Sequence, residues 1–158
     1  MIRPSRWICC WWRESQEDKE ARQWNREQSV KRLATILRYI ELKSGYSDNG
    51  PAWIGRVQLS RSSRTVYFNG KAFKRGGGIG ANHFEMETGE EYWVSGIKKN
   101  GRDRHWAGTG KITIEAAAVE EYLQIIGAKE LDRTRFVVSN AVKPTDINKL
   151  HAIQNQAV

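Results

Sequence analysis

Lys98, Lys99, Arg102 and Arg104 gather around a single imidazole, His105, in the stretch KKNGRDRH. That combination suits metal-free cleavage of RNA, which needs an acid–base group and cations to stabilise the phosphorane. His105 would carry the proton transfers. The same stretch also reads as a solvated basic hairpin tip, because Asn100-Gly101 is a turn signal and loops are charged for solubility. A second set of cations, Arg61, Arg64, Lys71 and Lys74, interleaves with Trp53, Tyr67 and Phe68. Cations that track phosphates and rings that stack on bases are what non-catalytic nucleic-acid binding requires. On this reading Arg61, Arg64, Lys71, Lys74, Lys98, Lys99, Arg102 and Arg104 neutralise phosphates, and Tyr67 or Trp106 stacks on bases. A protein or peptide partner is the alternative, with Tyr46, Tyr67 and Trp106 lining a groove.

Metal chemistry finds less support. His83, Glu85, Glu87, Glu90, Glu91 and Asp103 lie near one another in sequence, but HExxH and other spaced ligand sets are absent. His83 and His105 therefore read as surface or edge histidines. Cys9 and Cys10 are the only cysteines and are adjacent, so neither a disulfide framework nor a zinc quartet follows. A reducing cytoplasm suits that usage. The glycine run Arg75-Gly76-Gly77-Gly78-Ile79-Gly80 lacks the GxxxxGK[ST] pattern and a following helix, and reads as a connector. No cofactor is implied. A net charge of +8 in 158 residues allows nucleic acid, an anionic membrane or an acidic protein as partner. The excess is spread out, with 15 basic against 10 acidic side chains over residues 31–126. No apolar run approaches the ~20 residues of a membrane span.

The elements that would position these residues are mostly strands. In WIGRVQLS, Trp53, Gly55, Val57 and Leu59 alternate with the other positions, the period of a strand with one face in a core. RTVYF and KAFK flank Asn69-Gly70, a strong hairpin signal because a type I′ turn needs positive φ at both central residues. ATILRYIEL before this meander reads as a strand. HFEME, EEYWVSGIK and KITIE after it do so too, and RFVVS would add another. Trp53, Phe68 and Trp93 are expected in the core, with Tyr46, Tyr67 and Trp106 exposed. AAAVEEYLQII is the clearest helix, with Val119, Tyr122, Leu123 and Ile126 on one face, Glu115 in the first turn and Gly127 at the C-terminal cap. Pro144-Thr145-Asp146 would cap a last short helix, INKLHAIQ.

The expected architecture is mainly β: a small partly open SH3-like barrel or bent meander sheet with one C-terminal capping helix. Residues 1–30 form a polar leader, frayed or helical, residues 31–127 the domain, and residues 128–158 a weakly structured tail. The phrases SGYSDNGPAWIGRVQLSRSSRTVYFNGKAF and ETGEEYWVSGIKKNGRDRHWAG, with EEYLQIIG, resemble a set of short uncharacterised bacterial proteins. The resemblance covers about residues 31–127, and those proteins usually begin near Lys31, which marks the leader as extra. They are sometimes labelled 1-deoxyxylulose-5-phosphate synthase. The enzyme of that name is a far larger thiamine-diphosphate-dependent protein with a Gly-Asp-Gly motif. No Gly-Asp-Gly occurs here, so the resemblance implies no such activity.

Overall fold

A computed structural model describes residues 16, 19–20, 35–43, 50–76, 78–105 and 108–148 of the chain. Contacts divide it into two units, residues 1–33 and 34–158. In the first, Gln16, Lys19 and Glu20 are helical and exposed.

The second unit is built on strands β1 (Thr35–Leu42), β2 (Ala52–Leu59), β3 (Thr65–Phe68), β4 (Lys71–Arg75), β5 (His83–Glu85), β6 (Glu91–Ser95), β7 (Ile112–Glu115) and β8 (Phe136–Ser139). Six of these run antiparallel in the order β1-β6-β5-β4-β3-β2, and β2 pairs back with β1 to close a barrel. The β3–β4 hairpin turns where expected, with φ of 50° at Asn69 and 76° at Gly70. β7 joins β2 in parallel beside Ala52–Ile54, and β8 pairs in parallel with β7. A 3₁₀ turn (Ala116–Ala118) leads into helix α1 (Val119–Ile126), which Gly127 ends in the left-handed conformation at φ 68°.

The alternation along β1 and β2 feeds two cores. One parity, Ile40 and Val57, points into the barrel with Val66, Phe68, Phe73, Tyr92 and Val94. Trp53 packs against that group. Gly55 lies in the same wall because the Phe68 ring fills the space a side chain would need; a Cβ built there would overlap Cε2 of Phe68. The other parity, Leu37, Tyr39, Ala52 and Ile54, points outward and is covered by Ile112, Ile114, Ala118, Tyr122 and Phe136. A second apolar layer thus lies outside the barrel wall, and α1 closes it through Tyr122.

Several expectations change on contact with this architecture. Trp93, expected in the core, is 39% exposed, because the inward residues of β6 are Tyr92 and Val94. Tyr67, expected at the surface, is 2% exposed, since all four residues of β3 are covered. Glu115 ends β7 instead of opening the helix, and its Oε2 accepts from the Arg56 backbone N–H at 2.9 Å; the acidic residues of the first turn are Glu120 and Glu121. Within residues 128–158, otherwise expected to be weakly structured, the strand expected of RFVVS forms as β8 and buries Phe136. The chain then returns to the β3–β4 turn, where Lys143 N–H donates to Asn69 Oδ1 and Gly70 N–H to Thr145 Oγ1. Ile147 and Asn148 are helical; the rest of the last predicted helix lies outside the described residues, as do Tyr46 and Trp106.

Candidate functional site

Residues 98–105 lie against the outward face of β1, held there by two acidic side chains. Asp103 is buried and accepts from the Lys98 backbone N–H at 2.8 Å and from the Tyr122 hydroxyl at 3.1 Å. One carboxylate thereby closes the loop on itself and fastens it to α1. Burial pushes the Asp103 carboxyl up, although these donors and the nearby Lys98 and Arg135 charges pull the other way. Burial likewise pushes the Tyr122 hydroxyl up, and the neighbouring Asp103 charge adds to it.

The second fastening is ionic. Arg104 is 7% exposed and Glu41 on β1 is 1% exposed. Nη1 of Arg104 meets Glu41 Oε1 at 3.4 Å, and Nη2 donates to the Gly50 carbonyl at 3.0 Å. Glu41 Oε2 also accepts from the Tyr39 hydroxyl at 2.8 Å and faces Lys43 Nζ at 3.3 Å. A carboxylate this deep is tolerable only with such a set of donors.

Inside the loop, Gly101 N–H donates to the Lys98 carbonyl and Arg102 N–H to Asn100 Oδ1, with Gly101 at φ 64°. Asp103 and Arg104 therefore point inward, while Lys98, Arg102 and His105 face a cavity of about 600 Å³. Arg135 forms part of the far wall and donates to the Gly101 carbonyl at 2.9 Å. Thr109 and Thr134 also line this cavity. Every charged side chain among its described lining residues is cationic: Lys98, Arg102, Arg104 and Arg135. A second cavity of about 320 Å³ adjoins it, sharing Lys98 and His105, and it differs in character. Glu41, Asp103, Lys43 and the exposed Trp93 line that one.

The residues singled out from sequence divide accordingly. Lys98, Arg102 and His105 come together at the large cavity. Arg104 reaches it too, but its guanidinium is engaged with Glu41 and Gly50, so it holds the loop and does not track phosphates. Lys99 is exposed and outside the described lining. Arg61, Arg64 and Lys74 are exposed on the meander and line neither cavity. Lys71 is half-buried between Glu90 Oε2 at 3.3 Å and the Tyr92 hydroxyl at 3.0 Å. His83, expected at the surface or an edge, is buried in β5, which pairs on both sides, with its Nδ1 2.8 Å from Asn82 Oδ1; burial and then the Arg75 charge hold its pKa below the ordinary 6.5. Glu85 is buried as well and accepts the Glu87 and Thr88 backbone N–H groups, so it caps a turn.

Sequence reasoning missed Arg135, Glu41 and Trp93. Arg135 sits beyond the segment whose pattern suggested a domain, and only the pairing of β8 with β7 carries it to the loop. Glu41 and Trp93 are direct cross-strand partners on β1 and β6, a relation that no spacing within either strand reveals. Among the described residues no cluster of metal-ligating side chains occurs, and no helix is long and apolar enough to cross a membrane. No protein family, curated protein or solved structure matches the chain.

Proposed function

We propose that this domain binds nucleic acid without cleaving it, and that backbone phosphates enter the cavity between residues 98–105 and Arg135. The observation that carries this reading is the uniform sign of the lining charges: Lys98, Arg102, Arg104 and Arg135, with no carboxylate among the described residues there. Phosphate affinity comes from cations that release counterions on contact. Lys98 and Arg102, both exposed, are placed to do this. The loop's inward fastening through Asp103 and Arg104 holds these cations in place before the ligand arrives, which lowers the entropy lost on binding. A small barrel of SH3-like kind carrying its site on a braced loop is a familiar way to present such a surface.

Turnover is less well served. The carboxylates that share a cavity with His105 are Glu41 and Asp103. Both already accept from two or more donors, so neither is placed to serve as a carboxylate base beside the imidazole.

Fluorescence anisotropy of a labelled mixed-sequence oligonucleotide, titrated across salt concentration, tests the proposal. Affinity should fall steeply with salt. Arg102→Glu should reduce the magnitude of the slope of log K against log salt by about 0.7–0.9, the loss of one phosphate contact. Arg61→Glu and Lys74→Glu should leave it unchanged. Absence of binding at low salt, or equal binding by Arg102→Glu, refutes the assignment.

A further inference from the structure

The two adjoining cavities differ in charge in a way that orients a nucleotide. The larger presents only cations; the smaller sets Glu41 and Asp103 against Lys43 and Lys98, with an exposed indole on its wall. Phosphate oxygens are drawn to the larger cavity, where Lys98 and Arg102 meet no carboxylate among the described residues. A neutral, planar base has a different preference: the indole offers it a stacking surface. Trp93 supplies that surface because it points out of the barrel beside Glu41, its direct partner across the β1–β6 pair.

Exposure of this ring is itself informative. At 39% it leaves more apolar area in water than the other tryptophan in the described strands, Trp53, which packs against the barrel core. Trp93 is also fixed at the backbone by the sheet, so stacking on it costs little ordering. The volume of the smaller cavity, about 320 Å³, falls at the low end of the ~300–1,000 Å³ range of ligand pockets, which suits one base and not a helix.

Resting on the nucleic-acid reading above, we infer that the site takes an unpaired nucleotide of a single strand, with its phosphate against Lys98 and Arg102 and its base stacked on Trp93. The shared walls, Lys98 and His105, then lie beside the sugar that joins the two groups. A base within a duplex is stacked on both sides and has no free face to offer, so duplexes would use only the cationic cavity.

Anisotropy titrations of one labelled 12-mer, as a single strand and as its duplex, separate the possibilities, with Trp93→Ala, Trp93→Leu and Trp93→Phe beside Arg102→Glu. Far-UV circular dichroism and urea midpoints accompany each variant. The single strand should bind the wild-type protein more tightly than the duplex. Trp93→Ala and Trp93→Leu should each weaken single-strand binding about tenfold or more, with the salt slope and the duplex affinity unchanged. Trp93→Phe should retain most of the affinity. Mononucleotide should compete for the site more strongly than inorganic phosphate. Equal binding of the single strand by wild type and a folded Trp93→Leu protein overturns the base site while Arg102→Glu still tests the phosphate site. A tight duplex preference also overturns it. If neither strand form binds wild type at low salt, the nucleic-acid reading fails and the base site goes with it.

Discussion

Replacing Arg104 by methionine should unfold a large share of the molecules at modest urea concentration. The magnitude follows from what is left behind. Arg104 contributes Nη1 to Glu41 Oε1 and Nη2 to the Gly50 carbonyl, and the side chains of Arg104 and Glu41 are both nearly inaccessible. Removing one member of a buried pair typically costs about 3–5 kcal/mol, since the other charge stays buried. Two features place this site at the lower end. The contact of 3.4 Å is long against the ~2.7–2.9 Å of a strong charge-assisted bond. Lys43 and the Tyr39 hydroxyl also remain on the second oxygen of Glu41. About 3 kcal/mol is therefore expected, a large fraction of the ~5–15 kcal/mol that holds a typical domain together. Methionine is chosen because it keeps the packing of the stem. The surface pair Lys71–Glu90 serves as a reference: both side chains are over 40% exposed, and such pairs contribute ~1 kcal/mol or less. Urea unfolding at pH 7 should show Arg104→Met lowering the midpoint far more than Glu90→Gln, with m unchanged. Adding Glu41→Gln to Arg104→Met should cost less than the two single effects summed, because the orphaned charge disappears. A loss under 1 kcal/mol, or strict additivity in the double variant, would refute the buried-pair account.

Gly55→Ala should destabilise the barrel by about 1–3 kcal/mol in the same assay, because the new methyl overlaps the Phe68 ring, and Phe68→Leu should relieve part of that cost. Tyr122→Phe removes the hydroxyl donor to Asp103 and should cost about 1.5–3 kcal/mol, with hydrogen exchange speeding at the Lys98 amide if the loop loosens as argued. His83 is held neutral by burial, whereas the unfolded chain takes up a proton near 6.5, so the unfolded state binds more protons as pH falls. Stability from this group is complete above pH 6.5 and is lost as pH falls through its lower folded value; His83→Gln should flatten that part of the urea midpoint–pH curve, and an unchanged curve would show the imidazole to be solvated.

The amino-acid order alone determined the strands and the tight hairpin, because these follow from local rules. Period-2 patterning along residues 53–59, the φ requirement met by Asn69-Gly70, and the left-handed stop at Gly127 each depend on a few neighbouring residues. Which face of a strand is inside is another matter. Tyr92 and Trp93 are both aromatic and adjacent, and their order in the chain is compatible with either one facing the core; the pairing of β6 with β1 sends Tyr92 inward and leaves Trp93 beside Glu41. Arg102 and Arg104 are likewise indistinguishable two residues apart, yet one faces a cavity and the other is spent on a buried carboxylate 63 positions away. Arg135 reaches the cationic wall only because β8 docks on β7. The site is an outcome of contacts between residues distant in the chain, and those depend on how the barrel closes and on what packs against its outer wall.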